Sequence, residues 1–169
     1  LSRRQRQMCI RDREEKKEFR LPEANANMHR VYAYLIKQRF IDPNIISHFA
    51  KQHTLYEDKE HHNAVFVGVD ENGVPRQAHK RSTNSFGNAF RITCEGSDTR
   101  YSFSHFGKSE KLFVFEAPID MMSFLTLYPK GWQKHSYIAM NGVYENAVLT
   151  GLKSHSNLNE IILLSLIHI

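Results

Sequence analysis

Between residues 28 and 36 the apolar residues Met28, Val31, Tyr32, Leu35 and Ile36 recur at the three-and-four spacing of a single helical face, behind Asn27, a residue suited to N-capping. Asp42-Pro43 then supplies a second cap with a first-turn proline, and Ile45, Ile46, Phe49 and Ala50 form a second stripe. Two short helices in succession are predicted. From His62 the period drops to two. "NAVFVGVD" places Val65, Val67 and Val69 on one face, "ENG" is turn chemistry, and "VPRQAHKR" returns as the second arm of a hairpin. Further strands are predicted at "AFRITC" (89–94) and "YSFSHF" (101–106), with "STNSFGN" and "EGSD" as loops.

Beyond Lys111 the pattern changes again. Short apolar runs at 112–115, 135–140 and 160–163 alternate with helical stretches at 118–128 and 144–153, the first of these closed by Pro129. Alternating β and α units of this length predict a parallel sheet covered by helices. The expected class is therefore α/β with an α+β lead: a helical segment, a β-rich subdomain, then a parallel sheet with flanking helices.

The 169 residues suffice for one sizeable domain or two small ones, and 41% hydrophobic with 24% charged residues is an ordinary globular balance. No stretch approaches the ~20 apolar residues of a bilayer span, and the charged first 20 residues lack the apolar region of a secretory signal. A cytoplasmic protein without a membrane partner is expected. Cys9 and Cys94 carry no CxxC spacing. The net charge of +5 is concentrated at the start, where Arg3, Arg4, Arg6, Arg11 and Arg13 face Asp12 alone, so the remainder is only about +1.

Both ends carry a further signal. One set of codons for Met8 to Asp12, continued into Arg13, is on the opposite strand a set for "LSLIHI", residues 164–169. The two segments resemble the adapter that transposase-based sequencing libraries attach, and residues 8–13 and 164–169 are read as scars outside the fold. Four segments are expected: a leader over 1–20, a mixed subdomain over 21–110, a parallel-sheet segment over 111–163, and the scar.

Candidate chemistry centres on "KLFVFEAPID". Ligands in open parallel sheets sit beyond the carboxyl ends of strands, where Glu116 stands, and Pro118 suits a first helical turn that brings Asp120 to the same junction. Two such carboxylates can hold Mg²⁺, which takes hard oxygen ligands and completes its shell with water and substrate phosphates. Spacing alone leaves this open against a surface acid followed by an Asp favourably placed at a helix N-terminus, the commoner arrangement. A second candidate is the set Arg76, Lys80, Arg81, Arg91, Arg100 and Lys108, interleaved with Phe86, Phe90, Tyr101, Phe103 and Phe106. That mixture suits single-stranded nucleic acid; a solvated β face over core aromatics explains the same pattern, and composition alone favours it slightly. His61, His62, His79, His105 and Cys94 lack the pair spacing of zinc ligands, and no zinc site is expected. Gly142 in "AMNGV" could bring backbone amides to a phosphate or simply make a turn.

Taken together these segments resemble a known arrangement. "LFVFEAPIDMMSF" is similar to the first motif of the Toprim domain, the metal-binding fold of bacterial-type primases, type IA and type II topoisomerases and related nucleases. "YLIKQRFIDPNIISHFAKQHTLYE" and "NAVFVGVDENGVPRQAHKR" resemble the stretch before Toprim in the primase catalytic core. With "LPEANANMHRVYAYL" and "EGSDTRYSF", the likeness is to primase-like Toprim proteins of bacterial plasmids and conjugative elements, in which an uncharacterised domain precedes Toprim. It covers residues 21–163.

The resemblance implies an incomplete Toprim-like sheet with Glu116 as catalytic residue, and Mg²⁺ or Mn²⁺ as cofactor of the intact parent. DNA, single-stranded, nucleotides, and replication or helicase proteins are the implied partners. Arg81 matches the basic end of the family's hairpin. The family's Asp-x-Asp should follow the strand at 160–163, yet no Asp follows Asp120, and the family's zinc-finger module is missing from these residues. The expected parent is a Mg²⁺-dependent nucleotidyl transferase that makes primers, and the chain itself is expected to be inactive. The alternatives are a Toprim nuclease or nicking enzyme and a non-catalytic single-strand-binding accessory protein.

Overall fold

The computed structural model describes residues 18–84, 89–141 and 145–164. Both predicted helices form, α1 over His29–Arg39 and α2 over Pro43–Lys51. The Asp42 carboxylate accepts the Asn44 N–H at 2.7 Å and Pro43 occupies the first turn, as the sequence implies. At α1 the cap comes from elsewhere. Met28 holds the capping position without a side-chain bond, and Asn27 Oδ1 takes only the His29 N–H, at 3.2 Å. The next two amides, of Arg30 and Val31, donate instead to Glu57 Oε2 at 3.0 and 3.1 Å.

Glu57 ends β1 (Leu55–Glu57), which with β2 (Ala64–Val69), β3 (Pro75–Arg81) and β4 (Arg91–Thr93) makes an antiparallel sheet in sequential order. Its other oxygen accepts from Asn25 Nδ2 at 2.8 Å and His62 Nδ1 at 2.7 Å. Burial, which leaves Glu57 2% exposed, opposes its charge; the donors of Val31, His62, Asn25 and Arg30 outweigh that and hold its carboxyl below the ordinary range.

Strand β2 departs from the one-faced alternation expected of it, because both its faces are buried. Val65 and Val67 pack with Ala78, Phe19, Tyr56 and Cys94, while Phe66 enters the main core with α1, α2 and Phe103. Gly68 is required by a close approach. A Cβ there would lie 2.5 Å from the Ser102 amide nitrogen, so residue 102 runs directly over the strand.

"YSFSHF" also settles differently. Phe103 is buried against Phe49 and Phe66, with ring centroids 4.6 and 5.2 Å away. Only Ser104–His105 forms a strand, β5, and it joins the second sheet antiparallel to Ser136–Ala139. That sheet has the order β5-β7-β6-β8, with β6 (Lys111–Phe115), β7 (Ser136–Ala139) and β8 (Glu160–Leu164) mutually parallel. Helix α3 (Pro118–Leu127) packs Met121, Met122 and Leu125 into the main core with Phe115 and Tyr137. Helix α4 (Asn146–Ser154) brings Ala147 and Val148 to Leu112, Val114 and Ile138. The predicted parallel sheet with helices on its faces is thus present. Strand β8 runs into Leu164; residues 165–169, the leader through residue 17 with Cys9, and Phe86 lie outside the described residues. No described helix is long and apolar enough to cross a membrane.

Replacing Glu57 strands the first amides of α1 in a buried place. Glu57→Ala is expected to cost about 3 kcal/mol in urea unfolding, and an unchanged midpoint would contradict the cap. Because the carboxyl's folded-state pKa is depressed below 4.5, its stabilisation is complete above that value and disappears as pH falls through the folded-state pKa. The variant should therefore lose stability less steeply than the parent on acidification below 4.5.

Candidate metal and nucleic-acid site

Strand β6 lies between β7 and β8, and its last residue, Phe115, is followed directly by Glu116. Pro118 then starts α3, whose first turn carries Asp120. The chain reverses within two residues, so both acids stand at the carboxyl edge of the sheet. Asp120 is half-buried. Burial first, and the neighbouring Glu116 charge second, raise its carboxyl above the ordinary range, against the pull of the Ala117 amide, Arg81 and Arg91.

The first sheet supplies the opposing wall. Alternation puts Gln77, His79 and Arg81 on one face of β3, and the β3–β4 register sets Thr93 across from His79 and Arg91 across from Arg81. Gln77 Oε1 accepts from Asn141 Nδ2, just past β7, at 3.4 Å. A cleft of about 240 Å³ results, lined by His79, Arg91, Ile92, Thr93, Glu116, Ala117 and Asn141. Arg91 Nη1 is 3.9 Å from Glu116 Oε1, with the side chains 60% and 35% exposed. So loose and wet a pair stabilises little, and both groups remain available to a ligand.

Arginines directly opposite one another destabilise a sheet. Here the two carboxylates offset part of that cost, and a bound phosphate would offset more. Two residues along β3 from the arginine pair, His79 is only 7% exposed, its Nδ1 3.3 Å from Thr93 Oγ1. Burial, then Arg91 and Arg81, lower its pKa to about 4. It is a neutral group at the cleft at physiological pH.

The six candidate cations therefore separate. Arg91 lines the cleft beside Glu116, while Arg81, on the same face of its sheet and near enough to act on the Asp120 charge, donates Nε to the Tyr34 hydroxyl at 3.3 Å. Lys80 projects from the other face of β3, its Nζ 3.6 Å from Asp58, into a groove of about 1040 Å³ that also includes Arg20, Glu23 and Glu95. Arg76 Nε donates to Asp70 at 2.7 Å, and Arg100 forks onto Asp98, Nη2 at 2.6 Å. Lys108 is exposed before β6, at the opposite edge of that sheet from Glu116. His79, Thr93 and Asn141 join the cleft without a motif to mark them, and Gly142 lies outside the described residues. Among the described residues no three His, Cys, Asp or Glu side chains converge as a metal-ligand group.

Comparison with known proteins accords with this architecture. Residues 33–109 match DUF3991, a protein family of unknown function, and residues 113–165 match the Toprim-like family. No curated protein matches the chain. Among solved structures, the primase fragment of the bacteriophage T7 primase-helicase protein is similar at 16% identity with a TM-score of 0.56, over 78% of this chain and 54% of that one. The Escherichia coli primase catalytic core is similar at 14% identity and 0.53, over 82% and 56%. T7 primase domains engaged with the lagging-strand DNA polymerase, and bound to an RNA/DNA hybrid and dTTP, are similar at 18% identity and 0.52, over 76% and 56%. The chain spans about half the length of these structures. The chain thus carries a segment that matches DUF3991 followed by one that matches the Toprim-like family, and it has the fold of the primase catalytic cores.

Proposed function

We propose that the cleft between β3–β4 and the carboxyl ends of β6 and β7 is where a divalent cation and a polynucleotide backbone meet. The parent protein is then a Mg²⁺-dependent nucleotidyl transferase of the primase kind, acting on single-stranded DNA and nucleotides. The observation that carries this reading is Glu116 at the end of a central parallel strand, beside a second acid and 3.9 Å from an arginine of the facing sheet. Its setting in a plasmid or conjugative element, and replication or helicase partners, rest on the likeness of the sequence to that family.

The donor set fits a hard divalent ion in part. Glu116 and Asp120 would be oxygen ligands at one strand-to-helix junction; burial first and the Glu116 charge second raise the Asp120 pKa, and a cation there would offset both. A bound Mg²⁺ or Mn²⁺ supplies charge neutralisation at the transferring phosphate. Arg81 and Arg91 bind and orient phosphate oxygens from the facing sheet, while His79, being neutral, adds no competing charge. The family's Asp-x-Asp is not among the 169 residues. The chain alone is accordingly proposed to hold the ion weakly and to turn over nothing.

Titration with Mn²⁺ tests the acidic half of the site. Glu116→Gln is expected to weaken binding by roughly tenfold, and an unchanged isotherm would remove Glu116 from the site. For the basic half, Arg81→Gln and Arg91→Gln should each weaken single-stranded DNA and lower the salt slope by about 0.7. Lys108→Gln should leave both nearly unaltered. If Lys108 or Arg100 dominates instead, the strand runs elsewhere.

A further inference from the structure

Tyr34 belongs to α1, and its ring is buried in the main core with 4% of the residue's surface exposed. Its hydroxyl receives two arginines from different elements. Arg39 Nε, from the last turn of α1, donates to the phenol oxygen at 2.9 Å, and Arg81 Nε, at the end of β3, donates to the same oxygen at 3.3 Å. The Arg39 guanidinium also sits 5.4 Å from the centre of the Tyr34 ring.

Such an arrangement gathers charge instead of cancelling it. Both Nε atoms bond one oxygen, so the two cations are close neighbours, and among the described residues neither forms an ion pair. Arg76, Lys80 and Arg100 differ, since each has an aspartate against it. As a cation Arg39 suits the last turn of any helix, but Arg81 comes from a strand, 47 residues beyond Tyr34. The choice of acceptor matters as well. A carboxylate at this point would neutralise the pair and compete with a phosphate; a phenol fixes the guanidiniums and leaves their charge intact. With Nε taken, the terminal amino groups are what each planar fork offers to an anion.

Resting on the reading of the cleft given above, we infer that Tyr34 is a positioning residue for its basic half: the phenol oxygen fixes the orientation in which Arg81, opposite Arg91 in the register, presents its amino groups to a phosphate of the bound strand. Tyr34 itself touches no ligand. Arg39 shares the oxygen and so narrows the angles open to Arg81. The hydroxyl acts through Arg81, whose long side chain then has less rotamer freedom to lose when the strand arrives.

Binding of a single-stranded oligothymidylate to the full chain tests this by a double-mutant cycle, with the urea midpoint as the check on folding. Tyr34→Phe keeps the buried ring and removes only the acceptor, and it should weaken the oligonucleotide by about threefold to tenfold. Added to Arg81→Gln, it should cost no more than about twofold further, because its effect passes through that guanidinium. Arg81→Lys, which keeps the charge but has no Nε–H to give the phenol, should fall to the level of Tyr34→Phe and lose little more when the two are combined. In the parent, the Nε–H protons of Arg39 and Arg81 should exchange slowly with solvent by NMR, and Tyr34→Phe should speed both, which loosened packing elsewhere would not do. Full affinity in Tyr34→Phe where Arg81→Gln weakens binding, or penalties that simply add, overturns the inference while the cleft stands. Should Tyr34→Phe not fold, parent-like binding by Arg81→Lys or fast-exchanging Nε–H protons in the parent overturns it instead. If Arg81→Gln itself leaves binding unaltered, the reading of the basic half falls with it.

Discussion

The relation between the two sheets depends on a place where there is no side chain. At Gly68 the chain passes so close beneath residue 102 that a Cβ would sit 2.5 Å from its amide nitrogen. This contact lets Ser102 reach the end of β7, where its hydroxyl meets the Ala139 carbonyl and the Asn141 amide. Phe103, the next residue, is buried between Phe49 of α2 and Phe66 of β2. One short segment thus fixes β2 and β3 against the carboxyl edge of the parallel sheet. Cations of one sheet face carboxylates of the other as a result.

Electrostatics at that edge make sense only as a set. Burial and then Glu116 raise the pKa of Asp120 while Arg81 and Arg91 pull it down, and burial followed by the same arginines keeps His79 neutral. Left alone, the cross-strand arginine pair and the adjoining acids each carry repulsion. The ion pair joining them is long and exposed, so little would be lost were a divalent ion and a phosphate to exchange partners with it, as proposed. A site assembled this way rests partly neutralised and would fill without dismantling a buried salt bridge.

Much of this was legible in local sequence. Four apolar residues, an acid, then a proline in the first turn gave the Glu116–Asp120 junction, and Asp42-Pro43 gave the start of α2. What escaped depends on distance along the chain. The cap of α1 is Glu57, 26 residues beyond the Val31 amide it accepts from, so Asn27 looked sufficient. The sheet that Ser104–His105 joins is decided by Phe103's place in the core rather than by alternation. Composition grouped six cations that register and acidic neighbours divide: Asp70, Asp98 and Asp58 occupy Arg76, Arg100 and Lys80, and position alone separates Lys108. Asn141 carried no signal, because only its place past the end of β7 brings it to the cleft.

The central claim is that residue 116 marks the place where divalent ions gather. Anomalous diffraction from crystals of the chain grown with Mn²⁺ would test it most directly. The account predicts a manganese peak about 2.1 Å from a Glu116 carboxylate oxygen, facing Arg91 across the cleft. A well-occupied peak elsewhere, such as among Glu23, Asp58 and Glu60 of the larger groove, with none at Glu116, would contradict it.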